Sequence, residues 1–231
     1  MSLIVLGMHR SGTSLLIGLL GQFGHDLGEI SKTTSPLKPT GTQENLQVRK
    51  INNLLLNYNN SSWDNPDKVM KTNSDIEKRM TSFADSLNGK WAIKDPRLLF
   101  SYHIWEKYLP KHNIIATIRH PLLVAQSLKT KNGMEKEAAL KLWLEYNSIL
   151  LEMWKKKPFP IINFDQAKKQ YYLSIKKLET YLETVIDKTQ FNKFYQHKDT
   201  ENINLFLTKY PEIDEVFNQL IKASKQDINY E

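Results

Sequence analysis

Leu3-Ile4-Val5-Leu6-Gly7-Met8-His9-Arg10-Ser11-Gly12-Thr13-Ser14-Leu15-Leu16 is the stretch on which the fold turns. Four consecutive apolar residues fit a strand buried on both faces of a parallel sheet. Gly, Ser and Thr then make a tight loop, and Leu15-Leu16 open an apolar helix. Backbone N–H groups in such a loop converge on one point, where the helix N-terminus adds positive potential. The hydroxyls of Ser11, Thr13 and Ser14 are of the type that bonds phosphate oxygens. The plainer alternative is a strand–loop–helix corner with a capping Ser or Thr.

Working outward, three more short β-like runs follow: Trp91 to Lys94, Ile114 to Ile118 and Pro160 to Phe164. Helical patterns separate them, over Thr13 to Phe23, Gln43 to Asn57, Asp75 to Leu87, Leu98 to Tyr108 and Pro121 to Lys129. A longer helix spans about Glu135 to Trp154, with Leu140, Trp143, Leu144, Asn147, Leu150, Leu151 and Trp154 on one stripe, which reads as core. This alternation predicts a three-layer α/β domain with a central parallel sheet flanked by helices. The polar stretches 25–42 and 58–73 read as long loops, which in compact domains are commonly functional. After Phe164 the chain reads as helices over Tyr171 to Thr184 and Pro211 to Ser224, joined by a basic linker through Lys193 and His197-Lys198. The expectation is one domain over 1–231, with a core of about 2–165 and a helical C-terminal part of about 166–231.

Composition narrows the classes. Of 231 residues, 40% are hydrophobic and 25% charged, which excludes disordered and fibrous chains. No apolar run reaches the roughly 18–20 residues of a membrane span. Cysteine is absent, which removes disulfide scaffolds, zinc–cysteine clusters, thiol nucleophiles and Cys-ligated iron. The start lacks a basic lead, a longer apolar core and a cleavage site, so it reads as the first strand and a cytoplasmic location is the expectation. A formal charge of +7 favours anionic ligands without naming them.

The first loop compares instructively with the Walker A pattern, G-x-x-x-x-G-K-[ST]. Gly7, Gly12 and Ser14 fit, but Thr13 stands where the phosphate-binding lysine belongs. The cation has moved into the loop, at Arg10. That suits one phosphate-like group in the cradle better than a triphosphate with Mg²⁺. Arg10-Ser11-Gly12-Thr13-Ser14 here resembles the 5′-phosphosulfate loop, [KR]-[ST]-G-[ST]-[ST], of sulfotransferases that use 3′-phosphoadenosine 5′-phosphosulfate (PAPS). The resemblance implies a P-loop NTPase-like fold, PAPS as donor, and 3′-phosphoadenosine 5′-phosphate (PAP) as product.

Two later segments strengthen it, in the family's order. Ile114 to Ile118 leads into Arg119-His120-Pro121, with Ser127 eight residues after Arg119. Pro121 suits a first helical position and His120 its cap, so Arg119 stands at a strand's C-terminal edge, where open α/β sheets bind ligands. In the family an Arg and a Ser so spaced clamp the donor's 3′-phosphate. Trp91-Ala92-Ile93-Lys94-Asp95-Pro96-Arg97 resembles the Lys-Asp-Pro element of tyrosyl-protein sulfotransferases and bacterial relatives, where the Lys helps neutralise the transferring sulfuryl group. That role passes to Lys94. Asp95 either orients Lys94 or caps the next helix, and Arg97 is either a substrate contact or a salt-bridge partner.

Transfer to a hydroxyl needs a proton acceptor near the nucleophile and cations around the moving group. Pro39-Thr40-Gly41-Thr42-Gln43-Glu44-Asn45 resembles the Asn-Pro-x-Gly-x-x-Glu element of bacterial members, with Lys38 where the family often has Asn. The resemblance makes Glu44 the base, at a helix start; the alternative is that Glu44 complements the helix dipole. The catalytic set is then Glu44, Lys94 and Arg10, with no metal requirement. His25 and His103 are the other candidates for the base, His9 is a candidate sulfate or substrate contact, and Phe164-Asp165 reads as structural. The linker Lys193 to Lys198 is a further candidate for the 3′-phosphate.

The resemblance implies a small-molecule or glycan acceptor, with the loops at 25–42 and 58–73 shaping its pocket. Two other classes compete. A nucleotide or sugar kinase with a degenerate Walker A would need Asp95 or Asp165 as metal partner. A non-catalytic basic module would bind nucleic acid or another polyanion, but aromatics do not interleave with Arg or Lys as in stacking platforms. The acceptor's identity and the oligomeric state are not written in the sequence.

Overall fold

The computed structural model describes residues 1–31, 41–66, 71–195 and 207–226. Along the chain lie β1 (Leu3–Leu6), α1 (Thr13–Gln22), α2 (Leu46–Tyr58), α3 (Ser74–Asp85), β2 (Ala92–Lys94), α4 (Leu98–Trp105) and β3 (Asn113–Ile118). Then come α5 (Pro121–Asn132), α6 (Lys136–Lys156), β4 (Ile161–Asn163), α7 (Lys168–Lys176), α8 (Glu179–Leu182), α9 (Lys188–Phe194) and α10 (Pro211–Ala223). The strands form one sheet in the order β2-β1-β3-β4, with every pairing parallel.

The three layers follow from the period of two along a strand. Leu3 and Val5 of β1 enter a core with Leu16, Ile17 and Leu20 of α1 and with Tyr171, Leu182 and Phe191 from α7, α8 and α9. Ile4 and Leu6 point the other way, into a larger core with Val48, Met80, Leu99, Val124, Trp143 and Leu220 from α2 to α6 and α10. Ala92 and Ile93 of β2 divide between the same two cores, as do Ile162 and Ile161 of β4. A sheet covered on both faces needs apolar residues at successive positions, which is the pattern of the opening strand.

The expected stripe on α6 is core: Leu140, Trp143, Asn147, Leu150 and Leu151 are buried, while Leu144 and Trp154 pack partly buried against them. Several boundaries differ from expectation. The helix expected from Gln43 begins at Leu46, because Gln43 has φ 56° and Asn45 takes the cap, its side chain accepting from Gln47 N and Val48 N. The helix expected over Tyr171 to Thr184 is broken at Lys177-Leu178, where Leu178 turns into the core. The supposed linker is partly helical, since Lys193 lies in α9, while His197 and Lys198 fall outside the described residues. The stretch from residue 25 is also more ordered than a plain loop: Asp26 bridges Trp91 and Ile30 bridges Asn45. Pro39 and Thr40 lie outside the described residues. No helix among the described residues is long and apolar enough to cross a membrane.

The order β2-β1-β3 means that the chain leaves β1 for one side and later returns to its other side. Such a reversal opens a crevice beyond the carboxyl ends of the strands.

Candidate active site

The loop after β1 lies in that crevice. Gly7, at φ 142°, passes so near β3 that a Cβ there would stand 2.6 Å from the Thr117 carbonyl oxygen. Gly12, at φ 87°, caps α1 with its backbone, and a Cβ would fall inside the Phe164 ring. Thr117 Oγ1 donates to the Ser11 carbonyl at 2.8 Å and ties the loop to β3. Arg10 is held at φ 68°, a conformation L-residues rarely adopt and one that recurs at functional sites. Ser11 is wholly buried, and its hydroxyl has no hydrogen-bond partner among the described residues. An orphaned hydroxyl beside a helix N-terminus fits an oxyanion ligand.

Beneath the loop sits a buried ion pair. Lys94, at the end of β2, donates to Glu44 Oε1 at 3.3 Å and to the Thr42 carbonyl at 3.1 Å. The same carbonyl accepts from Ser14 Oγ at 2.9 Å, so one peptide joins the loop helix to the pair. Glu44 itself is placed by backbone bonds around it, Ser31 N donating to its carbonyl and Leu46 N to the carbonyl of Glu29. Burial pushes the Glu44 carboxyl up, but Lys94, His9 and Arg97 together outweigh it and hold the group at about 2. Arg49 stands 4.0 Å from its other oxygen.

The Arg119–Ser127 segment reaches the same edge. Arg119 Nη1 donates to the Arg10 carbonyl at 3.3 Å, and Arg10 Nε donates to Ser127 Oγ at 2.7 Å. Asp165 orients Arg119, accepting from its Nε at 3.2 Å and from His120 N at 2.7 Å. The Arg119 guanidinium also lies 5.3 Å from the Phe164 ring centre. Partial burial and the nearby Arg119 lower the pKa of Arg10, a mark of two guanidiniums gathered around one space. His120 is the cap of α5, as the sequence suggests, Nδ1 accepting from Leu122 N.

The remaining candidates are placed as follows. Asp95 is fully buried, and its carboxylate accepts from Arg97 N at 2.8 Å and Arg97 Nη1 at 2.7 Å; it fixes Arg97, the residue that caps α4 without a side-chain cap bond. With Asp95 on Arg97 and Asp165 on Arg119, both carboxylates on which a kinase reading relies are engaged by arginines. His25 packs at the opposite end of the sheet, bonded to the Leu20 carbonyl beside Asp26, the partner of Trp91. His103 lines a cavity of about 470 Å³ at that same far edge, with His112 and Asn113. Neither histidine meets the loop. His9 does face the site, with its ring 4.8 Å from Trp63 and 5.9 Å from Tyr146. Sequence reasoning missed the Thr42 carbonyl, Arg49, and the Trp63 wall of the second long loop. A backbone oxygen carries no sequence signal, and the other two depend on tertiary approach.

Against known proteins, a profile described as the sulfotransferase family matches residues 2–158. No curated protein matches the sequence significantly. Among solved structures the chain is similar in fold to the sulfotransferase domain of the Synechococcus PCC 7002 olefin synthase, with TM-score 0.58 at 14% identity over 99% of this chain and 95% of that one. It is also similar to sulfotransferase STF9 from Mycobacterium avium, with TM-score 0.55 at 12% identity over 98% and 77%. A third likeness is to a sulfotransferase domain of the curacin biosynthetic pathway, with TM-score 0.50 at 16% identity over 100% and 92%. A strand–loop–helix corner, the Arg119–Ser127 segment on the same sheet edge and a profile match over more than half its length converge on one assignment: the chain belongs to the sulfotransferase family.

Proposed function

We propose that the protein moves a sulfuryl group from PAPS to the hydroxyl or amine of a small-molecule or glycan acceptor by in-line displacement, leaving PAP. One observation carries the reading. The loop of Arg10 to Ser14 and the Arg119–Ser127 pair share an edge, joined through Arg10, whose Nε lies 2.7 Å from Ser127 Oγ and whose carbonyl lies 3.3 Å from Arg119 Nη1. Two anion seats so close suit the two ends of one adenosine nucleotide. The buried, unpartnered Ser11 hydroxyl leaves the cradle a polar group in want of a partner, which fits the donor.

PAPS supplies an activated sulfuryl group on a phosphate leaving group. In this reading Arg10, Ser11, Gly12, Thr13 and Ser14 hold the 5′-phosphosulfate, and Arg119 with Ser127 holds the 3′-phosphate. A phosphate monoester carries about −1.5 to −2 charge, which calls for a charge-assisted arginine contact. Lys94 neutralises charge at the reacting centre, and Glu44 takes the acceptor's proton. At a pKa of about 2, Glu44 is ionised but weakly basic while Lys94 lies on it. As the ammonium turns toward the cradle, the carboxylate loses its closest cation and its basicity rises. Trp63, from the loop at 58–73, stands against His9 and supports a role for that loop in shaping the acceptor pocket.

Calorimetry with PAP tests the donor: the expected result is micromolar binding that Arg119→Ala abolishes, and no binding by the wild type overturns the reading. Mass spectrometry of phenol and glycan panels incubated with PAPS then identifies the acceptor by the gain of one sulfuryl group.

A further inference from the structure

Helices α4 and α6 both run toward the amino-terminal end of the parallel sheet, since α4 follows β2 and α6 leads into β4. Between their carboxyl ends lies the cavity of about 470 Å³ that His103 and His112 line, across the sheet from the phosphate loop. A space of that size suits a small organic molecule rather than a water or a bare ion. Leu99 of α4, Ile149 and Met153 of α6 and Ile114 of β3 make its walls apolar. Aromatic rings complete them: Phe100 and Tyr102 from α4, Phe159 ahead of β4 and Tyr181 from α8.

The two phenols on these walls have no proton left to give. Tyr181 donates its own to the Ile114 carbonyl at 2.6 Å. Tyr102 lies 2.8 Å from His112 Nε2, and His112 Nδ1 lies 2.6 Å from the Pro110 carbonyl. A carbonyl only accepts, so the neutral ring carries its proton on Nδ1 and Tyr102 donates to Nε2. At the exposed rim stand two carboxylates, Glu106 and Glu152, and neither has an ion-pair partner among the described residues.

The backbone adds to the negative side. Glu106 caps α4 and Lys157 caps α6, so two helix carboxyl ends, each with partial negative charge, close on one space. Basic residues line it as well. His103 and Lys156 lie in the last turns of α4 and α6, and Lys157 lies at the cap, all three exposed. Those positions answer the helix ends, and none of the three pairs with Glu106 or Glu152.

We propose that this cavity is a second binding site, for an organic ammonium whose apolar body fills the space between α4 and α6 and whose amine is held by Glu106 and Glu152. Aromatic faces beside the carboxylates favour the cation further. The site stands apart from the donor reading, because the cavity and the phosphate loop lie at opposite ends of the sheet.

Calorimetry at neutral pH with 2-phenylethylamine, and with 2-phenylethanol as its uncharged counterpart, tests the site on the full chain. The amine is expected to bind with a Kd of about 1 mM or below, and at least about tenfold tighter than the alcohol. The double variant Glu106→Gln, Glu152→Gln is expected to bring the amine down to the alcohol's affinity. Its melting temperature should match the wild type, since both side chains are exposed. No binding of the amine, equal binding of the two probes by the wild type, or a preference for the amine that survives in the double variant overturns the proposal.

Discussion

Glu44 and Lys94 share a pocket that excludes almost all water, and each is the other's nearest counter-charge. Removing one partner from such a pair costs about 3–5 kcal/mol, because the survivor stays buried and uncompensated. Glu44→Gln is therefore expected to lower stability in denaturant titrations by that order and to reduce turnover by about 10²–10⁴-fold, the usual worth of a general base. Acid titration gives an independent check. Glu44 sits at about 2 in the folded chain against its ordinary 4.5, so its contribution is complete above pH 4.5 and is lost as pH falls through 2. The acid limb of the wild-type stability curve should flatten in Glu44→Gln across that window. His25 acts elsewhere and in another range. Burial, then Lys90, depress it to about 4 from 6.5, so the unfolded chain binds its proton first and stability falls between pH 6.5 and 4. His25→Gln should remove that slope without altering PAP affinity. At this scale the sequence was legible in where it put Arg10, Lys94 and Arg119, in the loop after β1 and at the ends of β2 and β3. It was mute on Asp95, whose partner proved to be Arg97 and not Lys94.

Helices α2 and α4 bring the two halves of the ion pair together, since α2 begins just after Glu44 and α4 just after Lys94. Asn52 joins them: its Oδ1 accepts from Ser101 Oγ at 2.9 Å and Trp105 Nε1 at 2.8 Å. Asn52→Leu strands the buried Trp105 Nε1 donor at about 1–3 kcal/mol, while Ser101 Oγ keeps the Arg97 carbonyl at 3.2 Å, and the expected outcome is a lower melting temperature together with reduced turnover. Gly12 tests the loop in the same way. Gly12→Ala meets both an unfavourable φ and the Phe164 ring, so a loss of about 2–5 kcal/mol is expected in unfolding titrations. Phe164→Ala on the Gly12→Ala background should return only part of it, because the φ of 87° remains. Elements with a strong period or a cap were readable from the chain alone, as Pro121 with His120 and the stripe of α6 illustrate. The start of α2 was not: Gln43 is an ordinary helix former held at φ 56° in the turn that delivers Glu44.

Across the whole molecule, an anionic ligand that binds only the folded chain must stabilise it. PAP at about a hundred times its Kd should contribute about 2.7 kcal/mol, which for a chain of this size raises the melting temperature by roughly 5–10 °C. Mg·ATP should give no comparable shift. The three layers were legible because a sheet covered on both sides demands unbroken apolar strands, whereas the breaks among the C-terminal helices depend on which side chains the sheet's far face draws inward, as Leu178 shows. The peptide at Thr42 has one more consequence. Its oxygen is a junction on which a serine from the nucleotide seat and the ammonium of the reacting pair both depend. If the proposed donor recruits that serine, the junction is left to the lysine alone, and the surroundings of the Glu44 carboxylate change with it. On the proposed reading the donor is expected to enter before the acceptor, which initial-rate kinetics with both substrates varied checks.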